Sequence, residues 1–151
     1  MNLGDRMKKY EQVFQYKLMP RTPLIIRLDG RAFHTYTKDL EKPFDRNFMA
    51  DMVGAALETV SEMNGFKVAY TQSDEVSILL TDYDEIETQG WFDYKLSKVV
   101  SISAALMTKN FNWLRGANVV FDARAFSLPR EEVVNYFLWR AKDWARNSIQ
   151  M

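Results

Sequence analysis

The stretch FKVAYTQSDEVSILLT, Phe66 to Thr81, decides the fold. Two runs of strand length, near 66–72 and 75–81, flank a tight acidic turn at Ser73-Asp74-Glu75. β-Branched and aromatic residues are common in both runs, and a short polar turn between such runs reads as a hairpin. Before the hairpin, Phe48, Met49, Met52, Val53, Ala56, Leu57 and Val60 form an apolar stripe that predicts a helix over 46–63. Asp45 is its expected N-cap, and Gly65 suits its C-terminal end. After the hairpin, Leu96, Val99, Val100, Ser103, Met107 and Phe111 share one face of a helix expected over 93–113. Outside these helices lie two more strand runs. One is Leu24-Ile25-Ile26-Arg27-Leu28, which stops at Asp29-Gly30, and the other covers 118–126 around Val119, Val120 and Phe121. The resulting order, βαββαβ, is ferredoxin-like: an α+β fold with an antiparallel sheet and helices packed on one face. Further helices are expected over 4–18, ended by Pro20 and Pro23, and over 130–147, with Pro129 near the first turn. A short helical turn is expected over 31–37.

Composition narrows the chemistry. The chain has 151 residues, long enough to bury a core without a staple. It has no Cys, which excludes disulfides, iron–sulfur clusters, thiolate zinc sites and thiol nucleophiles. One His excludes a multi-histidine metal site. Any metal must therefore sit mainly on oxygen, which points to Mg²⁺, Mn²⁺ or Ca²⁺. No apolar run has the length of a membrane span, and the first twelve residues are polar and charged. A soluble, cytoplasmic protein with no membrane partner is the expectation. Twenty Lys+Arg balance twenty Asp+Glu, so binding to phosphates would need a local basic patch rather than a basic average.

Asp29 ends the first strand and Asp74 sits at the hairpin tip. If the first strand neighbours the hairpin, both carboxylates lie at one edge of the sheet. Two oxygen ligands on rigid strand ends suit Mg²⁺, with phosphates and water completing the octahedron. Two such ions serve in-line attack at phosphorus. Gly30 lets the backbone approach an ion or phosphate closely. Each acidic turn taken alone is also ordinary turn chemistry. Glu75 follows Asp74 directly and points the other way on an extended chain, so it acts behind the metal or holds a cation on the opposite side. His34 reads either as a partly buried side chain or as a phosphate or base contact close to Asp29. Lys42 is positioned to reach a phosphate. Lys95, Lys98 and Lys109 on one helix, with Arg140, Lys142 and Arg146 on the last, form either a solvated face or a phosphate-binding surface.

With Arg27-Leu28-Asp29-Gly30-Arg31-Ala32-Phe33-His34 the sequence resembles the tRNA(His) guanylyltransferase superfamily, template-dependent polymerases that extend RNA in the 3′-to-5′ direction. Lys42-Pro43-Phe44-Asp45 is similar to that family's Lys-Pro-x-Asp segment. Tyr70-Thr71-Gln72-Ser73-Asp74-Glu75 is similar to its hairpin. Phe121-Asp122-Ala123-Arg124, then Trp139-Arg140 and Asp143, are similar to its later conserved region. The resemblance implies a polymerase-type palm in which Asp29, the Gly30 carbonyl and Asp74 hold two Mg²⁺ ions, and Asp29, Asp74 and Glu75 are the catalytic residues, Glu75 in support of the site. It implies that Ser73, His34 and Lys42 hold nucleotide or triphosphate, and Asp45 and Lys98 are placed with them. ATP or GTP would activate a 5′-monophosphate end, which the 3′-hydroxyl of an incoming nucleoside triphosphate then attacks. The implied partners are tRNA, nucleoside triphosphates and further copies of the chain, a tetramer in the family.

Two departures shape the expectation. Eukaryotic members carry His-Ile-Asn-Asn-Leu-Tyr-Asn where this chain reads Ala145-Arg146-Asn147-Ser148-Ile149-Gln150-Met151. That resembles the bacterial and archaeal branch and favours repair of 5′-truncated tRNA over guanosine addition alone. Family members also continue into a C-terminal helical region, so residues 1–151 are expected to be a single palm domain without it. Two other readings stay open: a nucleotide cyclase-like palm, and a non-catalytic module that binds nucleotide or RNA.

Overall fold

The computed structural model describes residues 1–33, 36 and 45–150, the last four by backbone alone. Four strands, β1 (Leu24–Gly30), β2 (Phe66–Gln72), β3 (Glu75–Leu80) and β4 (Phe121–Ser127), form one sheet in the order β2-β3-β1-β4. Every neighbouring pair is antiparallel. The helices are α1 (Leu3–Val13), α2 (Arg46–Val60), α3 (Leu96–Arg115) and α4 (Val133–Gln150), with short 3₁₀ turns at Trp91–Tyr94 and Arg130–Glu132. This is the expected βαββαβ sheet, with β1 at its centre.

Strand alternation sorts the sheet into two faces. Leu24, Ile26 and Leu28 of β1 and Val76, Ile78 and Leu80 of β3 are fully buried on one face. They pack with Met52, Ala55, Ala56 and Val60 of α2 and Val99, Met107 and Phe111 of α3. Burying each large side chain contributes roughly 1.5–3 kcal/mol. Asp45 caps α2 as expected, accepting from the Phe48 amide at 2.9 Å.

The other face is not bare. Helix α4 lies against it, with Tyr136 edge-on to Phe126 and hydrogen-bonded to Ser77 at 2.8 Å. Helices on one face only was therefore too simple. The sequence cue is Ser77 and Arg27 on that face, polar groups that need partners once covered.

Three boundaries differ for local reasons. Helix α1 stops at Val13, and the chain from Lys17 is extended: the Leu18 amide donates to the Tyr94 carbonyl at 2.9 Å. Helix α3 starts at Leu96 because Phe92, Asp93 and Tyr94 take positive φ and turn Trp91 and Tyr94 into the core. Strand β4 starts at Phe121, since the Asn112 side chain takes both backbone groups of Val119, at 2.9 and 3.0 Å. The turn expected over 31–37 lies partly outside the described residues, but Phe33 and Tyr36 both pack on the core. Among the described residues no helix is long and apolar enough to cross a membrane.

Gly65 joins α2 to β2 at φ 78°, and a Cβ there would sit 2.1 Å from the Thr81 carbonyl oxygen. Gly65→Ala is expected to destabilise the fold by at least about 2 kcal/mol, read as a lower thermal midpoint with unchanged far-UV circular dichroism at 20–25 °C.

Candidate active site

One edge of the sheet gathers the acidic residues. On the α4 side, Asp29 lies opposite Glu75 on one neighbour and opposite Asp122 on the other. The next row places Arg27 between Ser77 and Arg124. Gln72 pairs with Glu75, which leaves Ser73 and Asp74 as a two-residue turn. The Gly30 amide donates to the Asp74 carbonyl at 3.0 Å, so the end of β1 and the hairpin tip are fastened together. The backbone here is unusual for its residue types: Ser73 has φ 50° and Ala32 has φ 55°. Such conformations cost about 1–3 kcal/mol and cluster at functional sites. Gly30 is required sterically, because a Cβ there would lie 2.4 Å from the Phe33 ring. Phe33 in turn packs against Phe121 and Phe111, with centroids at 5.1 and 5.7 Å.

The electrostatics favour a bound cation. Burial, and then the Asp29 and Glu75 charges, push the Asp74 carboxyl up to about 6 despite hydrogen bonds from its own amide and from Ser73. Burial and Glu75 also raise Asp29, partly offset by Arg27 and Arg124. Both guanidinium groups stand 3.5 Å from Asp29 Oδ2. Arg27 is the more enclosed, and its guanidinium lies 5.8 Å from the Trp139 ring centroid. Among the described residues no three His, Asp or Glu side chains form a metal cage. Two hard oxygen donors raised by burial and by neighbouring carboxylates nevertheless fit Mg²⁺, which keeps most positions for water and phosphate.

The family described as Thg1, tRNAHis guanylyltransferase, matches residues 4–129. The chain belongs to the tRNAHis guanylyltransferase family. Two solved structures of a bacterial Thg1-like protein, one in complex with GTP and one with ATP, superpose with TM-scores of 0.95 and 0.96 at 44% identity. Each is covered over 99% of this chain, and over 75% and 68% of the bacterial chain. The tRNA(His) guanylyltransferase of Schizosaccharomyces pombe is 33% identical over 156 residues, 93% of this chain and 58% of the yeast protein. The chain thus spans about three fifths of the length of such curated relatives.

Within this guanylyltransferase-family fold, the structure brings Asp29, Gly30, Ser73, Asp74 and Glu75 together at one sheet edge. Glu75 holds a cation, Arg140 of α4, but on the same sheet face as Asp29 and not on the opposite side, as the alternation with Asp74 leads one to expect. The guanidinium donates to both carboxylate oxygens, Nε at 2.8 Å and Nη2 at 2.6 Å. Arg140 is therefore buried rather than part of a phosphate-binding surface, while Lys142 and Arg146 remain exposed. Asp45 is occupied as the α2 cap. Lys98 is exposed near the start of α3, which is tied to the Tyr16 carbonyl through the Leu96 amide at 2.8 Å. The part of α3 that reaches the Gly30 edge begins at Thr108, which accepts from the Phe121 amide. About 15 Å of helix separates Lys98 from that point. His34 and Lys42 lie outside the described residues.

Arg27, Arg124 and Asp122 were not singled out as site residues. A signal existed: Arg27 and Asp29, and Asp122 and Arg124, stand two apart on strands and share a face.

The raised Asp74 gives a pH prediction for the metal-free protein. A carboxyl at about 6 in the fold, against an ordinary 3.8, binds its proton more tightly folded than unfolded. Its ionised form therefore costs stability above pH 6, and the cost fades as pH falls toward 3.8. In EDTA, Asp74→Asn is expected to be about 1 kcal/mol more stable than the parent at pH 7, after discounting for partial exposure. Thermal melts should show the gap closing between pH 6 and pH 4.

Proposed function

We propose that this chain is the catalytic palm of a template-dependent 3′-to-5′ nucleotidyltransferase acting at the 5′ end of tRNA. The observation that carries the reading is the Asp29–Asp74 pair, fastened by the Gly30–Asp74 hydrogen bond in a fold whose 44%-identical neighbours are complexes with GTP and ATP. The 5′-monophosphate attacks the α-phosphate of ATP or GTP and pyrophosphate leaves. The 3′-hydroxyl of the next nucleoside triphosphate then attacks the activated 5′-phosphate, losing its proton and displacing the nucleoside monophosphate.

Asp29, Asp74 and the Gly30 carbonyl would hold two Mg²⁺ ions, which polarise phosphoryl oxygens and favour the ionised attacking hydroxyl. The protein's own groups supply position and charge. Gly30, which Phe33 keeps without a side chain, leaves the backbone open to close approach. Arg27, held between Asp29 and Trp139, offers a fixed positive charge beside the reacting phosphates. Arg124, more exposed, can leave Asp29 and follow a phosphate. Ser73, held at positive φ at the hairpin tip, presents a hydroxyl next to Asp74. Little covalent chemistry is asked of side chains in phosphoryl transfer, so positioning and charge account for most of the catalysis. Repair of truncated tRNA is preferred over guanosine addition alone because Ala145 to Met151 departs from the eukaryotic segment.

The test uses a 5′-monophosphorylated tRNA lacking its first nucleotide, with Mg²⁺, ATP and all four nucleoside triphosphates. The templated nucleotide should be added at the 5′ end. Asp29→Ala and Asp74→Ala should each lower the rate by about a thousandfold or more while the thermal melt stays cooperative. Rates within tenfold of the parent in either variant would refute the site. Cyclic or linear dinucleotides formed without RNA would point to a cyclase-like palm instead.

A further inference from the structure

The most enclosed ion pair near the site is one that the proposed chemistry does not use. Glu75 and Arg140 are each about a tenth exposed, and the contact is bidentate. Register places Glu75 directly opposite Asp29 on the same face, a separation of about 5 Å between β-carbons. Asp74 immediately precedes it. A carboxylate so placed, if unpaired, would add a third acidic group to the pair that faces the cation. Of the other polar groups around it, Gln72, opposite Glu75 on β2, has a buried Oε1 with no hydrogen-bond partner, and no side-chain hydrogen bond joins it to Glu75. Arg27 and Arg124 lean on Asp29, Tyr136 bonds Ser77, and Asp143 takes a further Arg140 contact at 3.3 Å. Asp122 adds negative charge from β4, and Tyr70 lies within electrostatic reach from β2. Arg140 is thus the cation that answers Glu75, and it arrives from α4, sixty-five residues away in sequence.

We propose that Arg140 is a positioning residue: it holds the Glu75 carboxylate away from Asp29 and Asp74, so that two carboxylates rather than three face the bound cation. The proposal rests on the nucleotidyltransferase reading of that site. It makes the seating of α4 on the sheet a condition for correct metal binding. Glu75 then acts by fixing the hairpin and setting its charge, not as a metal ligand.

Mn²⁺ binding, counted by electron paramagnetic resonance of the free ion, tests this without recourse to activity. Arg140→Met frees Glu75 and should tighten Mn²⁺ binding by about tenfold. Glu75→Gln should weaken it by about as much. The double variant, which removes both charges, should return to within about twofold of the parent. Opposite signs in the two single variants are what a purely structural pair would not produce, since loss of fold weakens both. Unchanged or weaker Mn²⁺ binding in folded Arg140→Met overturns the proposal. So does a double variant as weak as Glu75→Gln, which would make Glu75 a direct ligand. If Arg140→Met does not fold, Glu75→Gln and the double variant still decide between these outcomes. Parent binding that ignores Asp29→Asn has a different meaning: it overturns the cation site itself, and the role of Arg140 with it.

Discussion

The hydrogen bond from the Gly30 amide to the Asp74 carbonyl, 3.0 Å long, joins the end of β1, which carries Asp29, to the hairpin tip, which carries Asp74. Asp29 is held by the central strand and Asp74 by the hairpin tip, more than forty residues later in the chain. The pairing of Asp29 with Glu75 already joins β1 to β3, and this link extends the join to the hairpin tip itself. With it, burial raises both groups, joined by the Glu75 charge at Asp29 and by the Asp29 and Glu75 charges at Asp74; on the proposed reading a divalent cation would relieve that strain. The surrounding residues serve the same join. Phe33 fills the space over Gly30, and Ser73 and Ala32 take positive φ on either side of it.

The sheet divides its labour by face. The side toward α2 and α3 is an apolar core in which Leu24, Ile26, Leu28, Ile78, Met107 and Phe111 exclude water. The side toward α4 carries the acidic edge and keeps polar groups even where it is covered. Buried polar groups cost free energy unless they are paired, and two pairs here cross between elements, Ser77 with Tyr136 and Glu75 with Arg140, while Arg27 Nε and Gln72 Oε1 are buried without a hydrogen-bond partner. Breaking such a buried charge pair by removing one partner typically costs about 3–5 kcal/mol. Helix α4 is therefore held by contacts that also set the charge at the site.

The fold was legible because its signals are local. The hairpin turn, the helical stripes and the Asp45 cap are written in short stretches of sequence, and so is the βαββαβ order. The two-carboxylate edge followed from that order, given only that the first strand neighbours the hairpin. What escaped depends on contacts between distant segments. Nothing near Arg140 distinguishes a buried partner of Glu75 from a surface cation like Arg146. Nothing near Lys98 shows that α3 begins far from the Gly30 edge. The extended chain at Lys17 reads as helix until Tyr94 supplies its partner, and Val119 reads as strand until Asn112 takes its backbone. Period-two spacing sets Arg27 with Asp29 and Arg124 with Asp122, but only the sheet register shows both guanidinium groups against Asp29.

The most direct measurement is anomalous diffraction from crystals grown with Mn²⁺ and GTP. The account predicts anomalous peaks within about 2.2 Å of carboxylate oxygens of both Asp29 and Asp74, beside the triphosphate, with Glu75 still bound to Arg140. Peaks away from those two residues, or a metal bound by Glu75 with Arg140 displaced, would contradict it.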